Sequence, residues 1–206
     1  MNNKNYIMLN GNKIDLTEEQ VKQIYKNCAI NNKKLSDIAV GDTFKIGDYE
    51  FIVLEHSKET TAVILKDLLV NSMKFGKNNN FADKNCIVRA RLNDFATELE
   101  KIVGKHNLVQ HTVDLTSDDG LKDYGNIKAK VSLLTCNLYR RYVETLDKHK
   151  CGKWWWLCTA FSTPTHENDC WVKCVSPSGI VNYDYYFFNF GVRPFCIFNS
   201  NIFVSK

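Results

Sequence analysis

Apolar positions along the chain switch between two periods, and the switches divide it into segments. From Asp42 to Leu65 the spacing is that of strands. Phe44 and Ile46 alternate with polar residues, Gly47-Asp48 marks a tight turn, and Tyr49 to Leu54 resumes the strand pattern. A second turn around Ser57-Lys58-Glu59 leads into Thr61 to Leu65, so the segment predicts a three-stranded antiparallel meander. Met73 to Asn85 is polar, with Gly76 and three consecutive asparagines, and reads as a loop. Val88, Leu92, Phe95, Leu99 and Ile102 then recur every three or four residues, the stripe of an amphipathic helix ended by Gly104.

Residues 1–34 read as an N-terminal helical attachment. Leu16-Thr17-Glu18-Glu19-Gln20-Val21 is a helix start, with Thr17 as cap, Gln20 completing a capping box and Leu16 stapled on Val21. Val21, Ile24, Tyr25 and Cys28 share one face of this short helix. Such a face needs a surface, either the chain's own domain or a second copy.

After the central helix comes a short apolar stretch, Leu108 to Leu115, and a polar turn from Ser117 to Asp123. Asp118, Asp119 and Asp123 there lack calcium-loop spacing and read as a solvated loop. Val131 to Leu134 predicts a strand, and Thr135 caps a helix carrying Leu138, Tyr142 and Leu146. The last fifth of the chain is aromatic. Strand-like Trp154 to Leu157 precedes a polar loop through Pro164 and His166. Trp171 to Val175 follows, then a Pro177-Ser178-Gly179 turn, the run Asn182 to Phe190, and a final strand over Val192 to Phe198. Meander, helices and then aromatic strands make an α+β order, with residues 35–206 as one domain.

Composition narrows the classes. The 206 residues suffice for a core without staples, and a net charge of +4 without a basic stripe points away from nucleic acid. The N-terminus lacks an apolar signal region, and no apolar run approaches the roughly 20 residues that span a bilayer. The expectation is therefore a cytoplasmic or virion-associated protein with no membrane contact. Its eight cysteines then read as reduced thiols.

Motifs for chemistry are sparse. The five histidines have no zinc spacing, and CxxC, GxSxG, Walker and dinucleotide glycine motifs are absent. Cys170 and Cys174, four apart on a strand, stand roughly 13 Å from each other, beyond disulfide reach. No metal or cofactor is predicted, and Arg193 reads as a buried structural guanidinium that bonds loop carbonyls.

Trp155-Trp156-Leu157, Trp171-Val172, Gly179-Ile180-Val181 and Gly191-Val192-Arg193-Pro194 together resemble an uncharacterised bacterial and phage domain family. Asp42 to Leu54 and Val88 to Asn93 extend the resemblance upstream, with Arg91 where the family has Trp and Cys158-Thr159 where it has Arg-Ser. Its Gly-Val-Arg ending is similar to that of C-type-lectin-like folds of the formylglycine-generating-enzyme branch. That branch includes the variable proteins of diversity-generating retroelements, whose ligand-binding regions accumulate residues reached by changing adenines in asparagine codons. The resemblance implies a C-type-lectin-like fold with the tryptophans and Val192 as scaffold. It also implies a non-enzymatic binding surface for a protein or other surface ligand.

The candidate contacts are Phe161, Thr163, His166 and Asn168 on one loop, and Asn182, Tyr183, Asp184, Tyr185, Tyr186 and Phe188 on the aromatic run. Tyrosine and asparagine suit such a surface, because tyrosine offers a large rigid contact and asparagine adaptable hydrogen bonds. Two alternatives share this reading: a copper oxidase of the formylglycine-generating type using Cys170 and Cys174, and a phage protein that blocks a host factor.

Overall fold

The computed structural model of the chain describes residues 6–9, 12–21 and 32–205. Its first elements are the hairpin strands β1 (Tyr6–Leu9) and β2 (Asn12–Asp15), which flank the Asn10-Gly11 dipeptide. A helix begins at Glu18 with the predicted capping box: the Gln20 N–H donates to Thr17 Oγ1, and the Thr17 N–H donates to Gln20 Oε1. Ile24, Tyr25 and Cys28, the rest of its expected apolar face, lie outside the described residues.

The predicted meander is the centre of a seven-stranded sheet. β3 (Asn32–Lys34) is its outer strand, so this last part of the expected attachment belongs to the main sheet. β4 (Thr43–Ile46), β5 (Tyr49–His56) and β6 (Thr60–Leu65) pair antiparallel, Phe44 opposite Phe51 and Ile52 opposite Ile64. The remaining strands are β10 (Val131–Ser132), β15 (Phe195–Asn199) and β16 (Phe203–Ser205), in the order β10-β15-β6-β5-β4-β16-β3.

A five-stranded sheet carries the aromatic segment. Its strands are β7 (Val70–Lys74), β11 (Trp155–Ala160), β12 (Trp171–Val175), β13 (Val181–Tyr185) and β14 (Asn189–Val192), in the order β13-β12-β11-β14-β7. β7 includes Met73, so the loop expected from that residue starts only after Lys74. The strand expected over Val192 to Phe198 is broken at Arg193-Pro194, where the chain leaves one sheet for the other. Pro194 has no N–H to give to a ladder, which suits a crossing. Arg193 takes the expected structural role. Its buried guanidinium donates to the carbonyls of Leu65 (2.9 Å), Lys66 (2.8 Å) and His149 (3.0 Å).

Two cores form on opposite faces of these sheets. α1 (Ile87–Val103) covers the first, burying Val88, Leu92, Phe95 and Leu99 among Phe51, Val53, Trp156 and Val172. Each such side chain contributes roughly 1.5–3 kcal/mol by leaving water. Ile102, the last residue of the predicted stripe, is exposed, and Gly104 caps the helix at φ +84°. The second core lies under α2 (Cys136–Arg141) and α3 (Val143–Asp147), where one continuous helix was expected. Tyr142, at φ −105° and ψ 10°, breaks them apart, while Thr135 caps α2 by accepting from the Leu138 N–H. β11 divides the tryptophans by strand alternation: Trp155 and Leu157 enter the second core, and Trp156 and Cys158 the first. No helix among the described residues is long and apolar enough to cross a membrane.

Candidate functional site

The face of the five-stranded sheet that α2 and α3 cover continues beyond them. Trp155, Leu157, Val175 and Val181 lie in the second core. Two residues further along the same face stand Lys173 and Trp171 on β12, and Tyr183 and Tyr185 on β13. Their rings join Phe161 and the turn after β13 in one array. Phe161 lies 4.5 Å from Tyr183 and 5.3 Å from Trp171 between ring centroids. Trp171 lies 5.1 Å from Tyr183 and 5.7 Å from Tyr185. Tyr185 stacks on Phe187 at 5.0 Å and 15°, and Phe188 follows 5.3 Å from Phe187. Tyr183, Tyr185, Phe187 and Phe188 are 42%, 39%, 46% and 45% exposed. These exposed rings are contiguous, unlike the singly exposed apolar residues that are ordinary on a protein surface.

A cation is built into the array. Lys173 is buried, with Nζ 5.6 Å from the Phe161 ring centroid, 5.5 Å from that of Tyr183 and 2.9 Å from the Asp118 carboxylate. Arg140 bonds the other oxygen of Asp118 at 3.1 Å. Burial works to raise the Asp118 carboxyl, but hydrogen bonding and charge from Lys173 outweigh it and hold it below the usual carboxylate range.

Strand alternation separates the predicted contacts of the aromatic run. Asn182 and Asp184 face away from Tyr183 and Tyr185 and do a different job. The Tyr186 N–H donates to the Cys170 carbonyl and the Ser176 N–H to that of Ile180. Even-numbered residues of β13 therefore bond β12, and the N–H groups of Tyr183 and Tyr185 point to the free edge. Asn182 Oδ1 accepts from the Tyr183 N–H at 2.9 Å, and Asp184 Oδ1 from the Tyr185 N–H at 2.8 Å. An open edge strand invites a further strand, and these side chains occupy its donors. Tyr186 turns inward, its ring against the first core and its carbonyl accepting from the Phe75 N–H. Phe188 is outward as expected. Phe187, not among the expected contacts, joins it because the turn resets the alternation.

Asp118, Asp119 and Asp123 are exposed in a turn region, as expected, and two of them, Asp119 and Asp123, also hold the loop from Phe161 to Cys170. Asp119 accepts from Ser117 Oγ (2.5 Å) and Ser162 Oγ (2.5 Å) and pairs with His166 Nδ1 (2.9 Å). Asp123 accepts from Thr163 Oγ1 (2.5 Å) and Thr165 Oγ1 (2.6 Å). Desolvation opposes ionisation of Asp119, yet these hydrogen bonds prevail and hold its carboxyl well below the ordinary range. Asn79, fully buried, ties the same loop by donating to the Ser162 and Trp171 carbonyls. Thr163 is buried, so this predicted contact positions the loop and touches no ligand from the surface. His166 is exposed at the end of a single 3₁₀ turn, Pro164–His166. Asn168 Oδ1 accepts from the Cys170 N–H. Phe161 alone of the loop's predicted contacts enters the ring array.

A separate cleft of about 420 Å³ opens between α2 and the strand β8 (His111–Asp114), which pairs with β9 (Asn126–Ala129). Ser117, Asp118, Ser132, Cys136, Arg140 and Thr159 are among its lining residues. His111 Nε2 lies 2.9 Å from Ser132 Oγ, and burial lowers the imidazole to about 4, so it is neutral near pH 7. Burial pushes the Cys86 and Cys136 thiols up to about 11 and Cys174 to about 12, away from thiolate chemistry. Cys174 faces the first core, whereas Cys170 precedes β12 with its thiol on Asp169. The described cysteines are all free, and no described group of three His, Cys, Asp or Glu side chains is placed to hold a metal ion. No family model matches the chain, and neither do any curated protein or solved structure.

Proposed function

We propose that the chain is a non-enzymatic ligand-binding protein with a C-type-lectin-like fold. Its contact surface is the aromatic face of β12 and β13 with the turn through Phe187 and Phe188. One observation carries this reading: a connected array of half-exposed rings stands on a rigid sheet, where an apolar core position would normally be covered. Rigid aromatic anchors lose little entropy on binding, which suits them to recognition. The scaffold supports them through Trp155, Trp156 and the buried Arg193; the tryptophans belong to the resemblance to the uncharacterised domain family, and Arg193 to the Gly-Val-Arg ending that is similar to the C-type-lectin-like branch.

The proposal extends to a diversified variable protein of a retroelement system, in a cytoplasmic or virion-associated setting. The residue types of positions 182–190 suit that origin. The ligand is a protein or other surface ligand, and the face contributes shape and π-surface in place of reactive groups.

A ligand selected against the full chain from a displayed peptide library tests the proposal. Tyr183→Ala, Tyr185→Ala and Phe187→Ala should each weaken binding about tenfold or more. Tyr186→Ala, which faces the core, should cost stability instead. Unchanged affinity in the three outward variants would sink the reading.

A further inference from the structure

We propose that the cleft between α2 and β8 is a second binding site, separate from the ring face, for an uncharged hydroxylated small molecule of nucleoside or disaccharide size. Its volume of about 420 Å³ lies within the roughly 300–1,000 Å³ of small-molecule sites. His111, Thr112 and Leu138 also line a neighbouring hollow of about 270 Å³, so the two spaces adjoin and give room for a ligand of two rings.

The carboxylates around this space already have partners. Asp118 is bonded by Arg140 at 3.1 Å and by Lys173 at 2.9 Å. Asp114 accepts from the N–H (2.9 Å) and the hydroxyl (2.6 Å) of Thr116. In the neighbouring hollow, Glu55 accepts from the Tyr142 hydroxyl at 2.6 Å and pairs with Arg141. His111 is neutral near pH 7, with Nε2 on Ser132 Oγ. An ion entering the cleft would leave water without an unanswered counter-charge on the lining to meet it.

The hydrogen-bonding capacity left on the lining is of both kinds. Thr135 Oγ1 accepts from the Leu138 N–H (3.1 Å), and Thr112 Oγ1 accepts from Nζ of Lys128, which stands outside the lining (2.6 Å). Each of these threonines keeps its own O–H to donate. Asn137 Oδ1 accepts from Arg140 Nη1 at 3.3 Å, which leaves Nδ2 as a donor. Thr116 Oγ1 donates to Asp114 and keeps lone pairs to receive. An anion needs donors alone, and a cation acceptors alone. A ligand hydroxyl gives one hydrogen and accepts others, so it matches a lining that offers both. Val113, Cys136 and Leu138 add apolar wall, the usual companion of a few polar groups in such sites.

Titration of the full chain at pH 7, followed by nuclear magnetic resonance at the His111 imidazole, tests the site. The probes are uridine, maltose, uridine 5′-monophosphate and spermidine. Uridine, maltose or both should shift the His111 signals saturably, and a response to one alone tells nucleoside from saccharide. Thr135→Val and Thr112→Val should each weaken that probe about fivefold or more, the worth of roughly one hydrogen bond. Thr135→Ser keeps both the hydroxyl and the cap of α2 and should stay within about twofold of the parent. Thr112 is exposed, so its variant decides the matter if the Thr135→Val chain fails to fold. Uridine 5′-monophosphate should gain less than tenfold over uridine from its phosphate. A gain of tenfold or more, or shifts from spermidine alone, overturns the uncharged ligand. Shifts from no probe, or affinities indifferent to the valine variants, overturn the site itself and leave the ring face standing.

Discussion

Gly191 and Leu68 meet with no room for a side chain between them. A Cβ on Gly191 would stand 2.3 Å from Leu68 Cδ1, and 3.0 Å from the Trp154 carbonyl oxygen that the Gly191 N–H bonds at 2.8 Å. Glycine is needed here for close approach, and the approach brings β14 beside β11 in parallel, Trp155 opposite Gly191. That pairing fixes where the aromatic run leaves the sheet.

Gly191→Ala should therefore destabilise the chain by about 1–3 kcal/mol, the usual cost of forcing a methyl into a packed site. Urea unfolding measures it. A midpoint equal to that of the parent would show that Leu68 yields freely.

Arg193→Lys keeps the charge and loses the fork that reaches three carbonyls at once. Stability should fall by roughly 3 kcal/mol, from buried carbonyls left without charged donors. Denaturant titration of the variant checks this, and a loss below about 1 kcal/mol would contradict the pinning role.

Asp119 ties the loop through Ser162 and His166 and has a carboxyl held well below the unfolded value near 3.9. A depressed folded-state value means its stabilisation is present above pH 4 and lost as pH falls through that folded value. Asp119→Asn should cost about 1–2 kcal/mol at pH 7. The gap between variant and parent should narrow progressively below pH 4. A gap independent of pH would show that the carboxylate charge plays no part.

Asn182 and Asp184 cover the edge donors of β13, so replacing both with valine should uncover a hydrophobic edge strand. Light scattering after size exclusion should show the double variant shifted towards larger species than the parent at equal concentration. Identical profiles would mean that the caps do not guard the edge.

Much of the fold was legible because local period and buried face agree. Phe44 and Ile46 alternate as they do in β4, and Val88 to Leu99 form the buried stripe of α1. The break at Tyr142 had no proline or glycine to announce it. Arg193-Pro194 read as strand because the change of sheet depends on distant partners, Leu65 and His149. The aspartate clamp was hidden for the same reason: Asp119 meets Ser162 and His166 across more than forty residues. Within the site, alternation alone could assign Tyr183 and Tyr185 to one face and Asn182 and Asp184 to the other. Tyr186 and Phe187 escaped it, because β13 ends at Tyr185 and a turn follows.

The central claim is that ligand sits on the rings and not in the cleft beside α2. Hydroxyl-radical footprinting of the full chain with a library-selected ligand reads this directly, since tyrosine, phenylalanine and tryptophan are the reporters. Oxidation of Trp171, Tyr185, Phe187 and Phe188 should fall sharply on binding, with His111 and the cleft around it unaffected. Undiminished oxidation of the four rings, with protection confined to the cleft, would contradict the account.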